Sequence, residues 1–413
     1  MKTNSKRTNI LLITHHFPPE VNGTATRIYE IIKVLQIMHP HFRFFVITPP
    51  PVRPFGKFPV TFKFISKTSH NNKILIIRVW SYQPKSSNPN FIERILNYFL
   101  FPIFSFPVVI GLSFVADAVI VITPPTTICF TTLVAKMLGK KVLMDVTDLW
   151  HEEAEYLGYI KHSIFLKLSR GLELLSLKIS DLITVASFVL AKFVKNMVGD
   201  KKSIIVLPTP LDRSKIEKHD RDNRLHEDNF IIYTGNFGKP QALHLAVKAL
   251  YILNNEGYGN KIKLLLIGGG EEEDHLRYLI QQLNISNVLI HPPVPRDVLF
   301  NEFLNKAAIG LVPLAFNKAL IYALPTKLLE YLAYGLPYLS YGYSLELKRF
   351  ALMFKAGLHV DVEDEHAIAE AIKYIIEHKE SFLINTQKAF NVLMSSSYDS
   401  LREMIKLIGK EIK

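Results

Sequence analysis

Cysteine is almost missing from this chain, and its scarcity limits how the fold can be stabilised. Cys129 is the single cysteine among 413 residues. An internal disulfide and a metal site built from several cysteines are therefore excluded, and a reducing compartment fits the sequence. A secretory leader is not expected either, because residues 1–7 are polar and basic and the apolar run 9–14 has only the length of a strand.

The first strand is followed by a loop and a helix, yet the usual phosphate-binding glycines are not there. Residues 8–14 form an apolar strand, residues 15–24 a loop rich in proline and glycine, and residues 25–38 have helical spacing of apolar positions. The pattern Gly-x-Gly-x-x-Gly does not occur in this loop, which excludes a standard dinucleotide site of the NAD type. We expect no bound cofactor and no metal site.

An excess of basic residues is confined to one half of the chain. Residues 1–210 hold 25 Lys and Arg against 12 Asp and Glu, a net charge of +13, whereas residues 211–413 hold 24 against 25, a net charge of −1. The first half is therefore expected to face an anionic partner. No motif that reads DNA or RNA is present, so we expect no nucleic-acid partner and favour an anionic membrane surface.

The longest stretch without charge runs for 22 residues between Arg94 and Asp117. It is long enough to span a bilayer in principle. Pro102, Pro107 and several polar residues argue against a spanning helix. A buried helix and an interfacial helix that dips into lipid are the other two interpretations, and the basic surroundings favour the second of these. All three remain open on the sequence alone.

The length of the chain and the alternation of its elements predict two domains. A single core stops growing at about 250–300 residues, and each half alternates apolar strands with helical patterns. We predict an α/β protein with an N-terminal Rossmann-like domain over residues 1–208 and a C-terminal one over 209–394. A last amphipathic helix over 395–413 is expected to return to the first domain.

The stretch from Pro325 to Pro337 predicts an anion site. It follows the buried strand 307–314, so its helix begins at the carboxyl edge of a parallel sheet. Pro325 opens the helix, and Thr326 is predicted to cap its first amides. Lys327 lies in the same turn, with Glu330 about one turn later. Amides and an ammonium suit a diphosphate, and a carboxylate suits the hydroxyls of a ribose.

Three further strand ends carry residues suited to binding or catalysis. Gly235, Asn236 and Gly238 follow one strand of the second half, and Gly268 begins a run of three glycines after another, so backbone amides can approach a ligand there. In the first half, acidic and imidazole groups follow the strand 140–147 and include Asp148 and His151, although Asp148 also suits a helix cap. Acidic and imidazole groups at the carboxyl end of such a strand are expected to point into the crevice between the two domains.

These motifs together resemble one family, and they run in its order over almost the whole chain. The chain resembles glycosyltransferase family 4, the retaining, sugar-nucleotide-dependent transferases of the GT-B fold, and looks most like the subgroup that builds bacterial and archaeal surface glycans. The matching pieces are Phe17-Pro18-Pro19-Glu20 with Gly23, Asp148-Leu149-Trp150, Tyr233 to Gly238, Leu266 to Gly270, and Pro325 to Pro337.

The resemblance implies a fold and a division of labour. It implies two doubly wound Rossmann-like domains facing across a cleft, with the acceptor bound by the N-terminal domain and the nucleotide sugar by the C-terminal domain. The donor is expected to be a nucleotide diphosphate sugar, UDP-linked rather than GDP-linked. The basic first half and its charge-free segment indicate a lipid-linked saccharide acceptor at the inner face of the cell membrane. The protein would then be cytoplasmic and peripheral. The transfer is expected to need no metal, because amides, helix dipoles and cations can stabilise the leaving phosphate.

Roles carried over from the family fall on named positions of this sequence. Glu330 would bind the donor ribose, Thr326 and Lys327 the diphosphate, and Gly23 would bring the first loop to the same phosphates. Asp148 or His151 is expected near the reacting sugar, with Lys327 as the third catalytic candidate. The remaining binding positions carried over are Gly235, Asn236, Gly238, Lys239, Pro325 and Leu328.

Two departures from the family leave other functions open. Tyr322 stands where the first glutamate of the family's pair is expected. The family also has an arginine and a lysine at its donor loop, which falls at Asn236 and Gly238 here, and Lys239 is the only basic residue close by. A sugar-nucleotide epimerase of the same architecture is the alternative enzyme. A catalytically silent nucleotide-sugar-binding subunit is the alternative from a different class.

Overall fold

A computed structural model of the chain describes residues 7–20, 22–70, 72–86, 89–149, 163–212, 229–259, 261–295 and 298–409. The chain divides into two compact units, the first comprising Met1–Leu211 with Ser396–Lys413 and the second Asp212–Ser395. Each unit is an α/β layer structure with its own parallel sheet. The predicted fold class of two doubly wound units, with the end of the chain returning to the first, is confirmed.

The first unit is built on an eight-stranded sheet in the order β3-β4-β2-β1-β5-β6-β7-β8. Its strands are β1 (Thr8–Ile13), β2 (Phe42–Thr48), β3 (Ile65–His70), β4 (Ile74–Val79), β5 (Ala118–Thr123), β6 (Lys141–Val146), β7 (Leu182–Val185) and β8 (Ile204–Val206). Its helices are α1 (Gly23–Met38), α2 (Phe91–Ser113), α3 (Cys129–Met137), α4 (Ser163–Ile179) and α5 (Phe188–Val198). All neighbouring strands are parallel apart from β3 and β4.

The central strands of this sheet are continuous apolar runs. β5, with the sequence Ala-Val-Ile-Val-Ile-Thr, is buried at each of its six positions. A parallel sheet with helices on both faces demands such strands, because neither face meets water. The same composition is what made these strands predictable.

β3 was not expected from the sequence. Its sequence, Ile-Ser-Lys-Thr-Ser-His, is mostly exposed and lacks the apolar periodicity of the other strands. It pairs antiparallel with β4 at the edge of the sheet, with Ile65 opposite Val79. An edge strand needs only one neighbour, so the pairing comes from tertiary structure and leaves little trace in the sequence.

A buried ion pair connects α1 to the carboxyl half of the sheet. The guanidinium of Arg27 donates to both carboxylate oxygens of Asp145, at 3.0 and 2.8 Å, and to the carbonyl oxygen of Leu207 at 2.7 Å. The hydroxyl of Thr184 donates to the same carboxylate at 2.6 Å. Asp145 therefore holds α1, β6 and β7 together, and the acid at the end of this strand is structural.

The second unit repeats the plan with six parallel strands in the order β11-β10-β9-β12-β13-β14. Its strands are β9 (Asn229–Asn236), β10 (Ile262–Gly269), β11 (Val288–His291), β12 (Ile309–Pro313), β13 (Tyr338–Tyr341) and β14 (Gly357–Val360). Its helices are α6 (Leu243–Leu253), α7 (Glu273–Gln282), α8 (Thr326–Ala333), α9 (Leu345–Phe354) and α10 (Glu365–Glu377). A short π-helical turn, Leu299–Leu304, lies between β11 and β12.

The last helix, α11 (Lys379–Gly409), runs for 31 residues, and from Ser396 onward it belongs to the first unit. Leu401 and Met404 are buried in that unit's core. The hydroxyl of Ser400 also donates to the carbonyl oxygen of Val206 at 2.8 Å. Buried apolar side chains at helical spacing therefore explain why the end of the chain returns.

Candidate functional site

The candidate site of the second unit begins at the carboxyl ends of β9 and β10, where glycines let two loops touch. Gly235 and Gly268 are register partners in this parallel pair. A Cβ atom on Gly268 would lie 1.8 Å from the carbonyl oxygen of Gly235, and one on Gly270 would lie 2.5 Å from that of Phe237. No side chain fits at either position, so the glycines are required by the close approach of backbone to backbone.

Hydrogen bonds fix the loop that follows β9 in one conformation. The amide of Phe237 donates to the carbonyl oxygen of Gly269 at 2.9 Å, and the amide of Glu272 donates to the carbonyl oxygen of Phe237 at 2.9 Å. The amide of Gly238 donates to the side chain of Gln241 at 3.1 Å. The loop is thus preorganised, with the side chain of Asn236 exposed at its tip.

The start of α8 also borders the site, and an aromatic contact packs this helix against the sheet. A Cβ atom on Gly310 of β12 would lie 2.3 Å from the ring of Tyr331, so the glycine makes room for that ring. The hydroxyl of Tyr331 accepts a hydrogen bond from the amide of Thr234 at 3.3 Å. Tyr331 therefore holds the first turn of α8 beside the end of β9.

The cap of α8 differs from the prediction. Pro325 is the N-cap residue and Thr326 is the first helical residue, and no side chain among the described residues caps the helix. The predicted cap by Thr326 is wrong, because a cap residue must lie before the first turn with extended backbone. The first-turn amides consequently carry no side-chain acceptor, which leaves the positive end of the helix dipole available to an anion.

Lys327 brings a cation to the meeting point of these elements. Its Nζ lies 4.0 Å from the centroid of the Tyr233 ring, and 3.7 Å from the position that a Cβ on Gly235 would take. Burial lowers the pKa of Lys327 to about 7, although the nearby carboxylate of Glu330 opposes the shift. The ammonium of Lys327 therefore lies over the glycine loop, where an anionic ligand would stabilise its charge.

Tyr233 belongs to one of the matching motifs, but no site role was predicted for it. Its side chain is fully buried, and its hydroxyl donates to the carbonyl oxygen of Asn236 at 2.6 Å. Burial raises its pKa well above 10, so the phenol stays protonated and keeps that bond. A tyrosine within a buried strand has the pattern of a core residue, and no local signal marks it as the platform beneath Lys327.

The lowered pKa of Lys327 predicts pH-dependent binding of a diphosphate ester. Below about pH 7 the side chain is an ammonium, and above it the charge is progressively lost. We expect the affinity for a nucleotide sugar to fall about tenfold between pH 6.5 and 8.5, because such a diester lacks the phosphate pKa near 6 that would itself titrate.

Calorimetric titration over this pH range measures the effect. The matched control is Lys327→Arg, whose guanidinium stays charged throughout and should give a flat profile. An equally steep profile in the arginine variant would assign the pH dependence to another group.

The other predicted binding residues of this unit lie around the same loops. Lys239 is exposed, and its amide is 3.4 Å from a carboxylate oxygen of Glu271. Leu328 is buried, and its amide donates to the carbonyl oxygen of Pro325 at 3.1 Å. Leu328 thus shapes the turn. Gly235, Asn236, Gly238, Pro325, Thr326, Lys327 and Glu330 complete the set that the second unit brings together.

Tyr322, which replaces an expected carboxylate, lies before α8 and is only 2% exposed. A buried phenol cannot present the charge that a sugar-facing glutamate would. The structure therefore places the side chain of Tyr322 in the buried core of the second unit.

The remaining predicted residues belong to the first unit. Gly23 is exposed and is the first residue of α1, where the side chain of Asn22 accepts a hydrogen bond from the amide of Ala25 at 2.8 Å. Asp148 is partly buried two residues after β6. His151 lies outside the described residues, so its predicted role stays a prediction.

A polar cluster around Glu20, the last residue of the motif Phe17-Pro18-Pro19-Glu20, lies after β1. The ring of His16 is 2.7 Å from a carboxylate oxygen of Glu20, and the amide of Val52 donates to the other oxygen at 2.6 Å. Burial opposes ionisation of Glu20, but these partners outweigh it and its pKa is lowered. Glu20 therefore anchors the loop that leads to Gly23.

A comparison with protein families matches the second unit. Residues 214–390 match the family model "Glycosyl transferases group 1". No curated protein sequence matches the chain at a significant level. The family match thus covers the part of the chain that carries the glycine loops and α8.

Solved structures match nearly the whole chain at low identity. Sucrose-phosphate synthase from Thermosynechococcus elongatus is 15% identical, with a TM-score of 0.72 over 98% of this chain and 99% of that one. The HepE protein of Anabaena, in complex with UDP and glucose, is 11% identical, with a TM-score of 0.66 over 97% and 99%. A UDP-forming trehalose-phosphate synthase from Burkholderia xenovorans, in complex with glucose-6-phosphate, is 13% identical, with a TM-score of 0.66 over 97% and 100%. At this identity the likeness concerns the fold, which is that of GT-B glycosyltransferases.

Proposed function

We propose that the protein transfers a sugar from a nucleotide diphosphate sugar to a glycan acceptor with retention of anomeric configuration, as a member of glycosyltransferase family 4. The observation that carries this proposal is the position of Lys327 over the Gly235 loop, at the uncapped start of α8. The family match over residues 214–390 supports it.

The mechanism follows from the charges around this turn. Departure of a nucleotide diphosphate leaves negative charge on the phosphate that held the sugar. The first-turn amides of α8 and the ammonium of Lys327 are fixed before that charge develops, so they stabilise it without reorganising. Glu330 lies one turn further on, where its carboxylate suits the ribose hydroxyls. Lys327 thus acts on the leaving group, and Glu330 on its orientation.

UDP is the favoured nucleotide. The Anabaena protein of the same fold was solved with UDP and glucose, and the Burkholderia enzyme is described as UDP-forming. Our proposal therefore gives a UDP-sugar priority over a GDP-sugar in any screen.

The proposed acceptor is a lipid-linked saccharide at the cytoplasmic face of the cell membrane. The net charge of +13 in residues 1–210 supports it, because anionic headgroups attract basic surfaces. A phosphosugar is the second candidate, since the Burkholderia protein of this fold was solved with glucose-6-phosphate. Asp148 and His151 are proposed to lie near the reacting sugar in either case.

Metal independence is also part of the proposal. The cationic and amide groups of α8 are suited to the leaving phosphate without a metal ion. Asp220 and Asp222, however, have an Asp-x-Asp spacing and lie outside the described residues. Such a pair is suited to Mg²⁺ or Mn²⁺, so a chelator arm belongs in the test.

Transfer of labelled sugar tests the proposed function. The protein is incubated with a UDP-sugar alone, with a lipid-linked saccharide and with a phosphosugar, each with and without EDTA. We expect product only with acceptor present and an unchanged rate in EDTA. Conversion of the sugar nucleotide without acceptor would indicate the epimerase instead. Donor binding with no product from any acceptor would favour the silent binding subunit, and loss of turnover in EDTA would overturn metal independence.

A further inference from the structure

The outer face of α2 is a continuous apolar surface. The helix begins with a capping box between Asn90 and Glu93 and continues through Pro102 and Pro107. Its exposed large side chains are spaced by four and three residues, which places them along one side of the helix. They are Ile92, Leu96, Phe99, Ile103 and Phe106. This row covers about 21 Å of helix at 1.5 Å per residue.

The opposite face of α2 packs on the first unit. Phe101 and Val109 are fully buried there, and the side chain of Asn97 donates to the carbonyl oxygen of Tyr82 at 2.6 Å. The stretch Ile92–Ser113 has the length and composition of a membrane span, yet 28% of its most apolar window is buried in protein. A helix held on one side in this way can lie along a bilayer but cannot cross it without leaving its unit.

A second apolar segment continues the surface beside the helix. Phe62 and Phe64 are exposed, at 84% and 53%, just before the edge strand β3. The ring of Phe64 lies 5.4 Å from the ring of Phe104, on α2. This contact places the segment alongside the middle of the helix, and the exposed Lys63 lies between the two phenylalanines.

Charge within residues 51–116, the segment that carries this surface, is almost entirely of one sign. Residues 51–116 contain eight Lys and Arg but a single acid, Glu93, which accepts hydrogen bonds in the helix cap. Of the basic side chains, Lys57, Lys63, Lys67, Lys73 and Lys85 are exposed. Apolar side chains flanked by lysines suit an interface whose interior is apolar and whose headgroups are anionic.

We propose that the outer face of α2, together with Phe62 and Phe64, docks on an anionic lipid surface with the helix axis parallel to the membrane. A second copy of the chain is a poorer occupant, because two such surfaces would bring like charges together. The proposal deepens the suggestion of a lipid-linked acceptor, since docking would hold the first unit at the plane where such an acceptor lies. The functional reason for docking rests on the proposed lipid-linked acceptor, whereas the docking surface itself is argued from the exposed side chains alone.

Vesicle flotation with the full chain tests the docking surface. The probes are vesicles of phosphatidylcholine alone and of phosphatidylcholine mixed with phosphatidylglycerol, at low and high salt. We expect binding to the anionic vesicles at low salt and release at high salt, since added salt shortens the reach of the lysine charges. Ile103→Asp should weaken binding about tenfold, which corresponds to about 1.4 kcal/mol.

Leu352→Asp is the matched control, because Leu352 is 70% exposed on α9 of the second unit. It should bind vesicles as the wild type does, and both variants should keep the wild-type unfolding temperature. Three results would overturn the proposal: equal loss of vesicle binding in both variants, no binding by the wild type, or wild-type protein that stays on the vesicles at high salt and is released only by detergent. So would a dimer in light scattering that Ile103→Asp dissociates. The flotation experiment does not measure donor binding, so a protein that fails to bind vesicles can still be a transferase. A protein that fails to transfer sugar can likewise still dock on lipid.

Discussion

Replacing Lys327 by alanine is expected to lower kcat/KM for sugar transfer by about 10²–10³-fold. The ammonium lies over the Gly235 loop and belongs to the first turn of α8. Removing one preorganised group that stabilises developing charge costs about 2.7–4 kcal/mol in transition-state energy. Glu330→Ala should act mainly on KM for the donor, because a carboxylate that binds ribose is used equally in the ground and transition states.

Initial rates at several donor concentrations separate these effects. Lys348→Ala is the control, since Lys348 is half-exposed on the same unit and pairs with Asp361 at the surface. That variant should keep wild-type rates. Turnover within about twofold of wild type in both Lys327→Ala and Glu330→Ala would remove these residues from the reaction.

The largest loss of stability is expected from Asp145→Ala. The substitution leaves the guanidinium of Arg27 buried, 3% exposed, without its carboxylate, and the hydroxyl of Thr184 without its acceptor. Removing one partner of a buried pair costs about 3–5 kcal/mol, because the remaining charge is desolvated and uncompensated. Replacing both partners, as in Arg27→Met with Asp145→Leu, should recover most of this loss.

Urea unfolding followed by tryptophan fluorescence measures the effect on the correct unit. Of the two tryptophans of the chain, Trp80 lies in the first unit, and Trp150 is outside the described residues. Asp399→Ala is the control, because Asp399 pairs with Arg402 while 69% exposed, and such pairs contribute about 0–1 kcal/mol. If Asp145→Ala unfolds at the urea concentration of the control, the ion pair does not hold α1 to the sheet.

Much of the fold was predictable because apolar runs mark its buried strands and glycines mark the loops that follow them. Continuous Val and Ile strands predicted the parallel sheets, and the apolar spacing of residues 401–412 predicted that the end of the chain returns to the first unit. The polar strand β3 was missed, since its pairing depends on β4 and not on its own side chains. Local sequence says little about such edge strands.

The candidate site shows the same division. The order of Pro325, Lys327 and Glu330 predicted a helix start with a cation, and the helix begins there. The cap was predicted at Thr326, one residue too late, because the sequence does not fix where the first helical residue falls. The platform under Lys327 was missed because Tyr233 reaches it from a different strand. Contacts between segments that are far apart in the sequence leave no pattern in the local spacing of residues.

Calorimetric titration of UDP, in the presence of EDTA, tests the central claim most directly. The claim is that the Gly235 loop and the first turn of α8 form a nucleotide diphosphate site. We predict one UDP bound per chain by the wild type at pH 6.5, at least about tenfold weaker binding by Lys327→Ala, and wild-type binding by Lys348→Ala. Equal affinity for UDP in all three proteins, or no binding by the wild type, would contradict the claim.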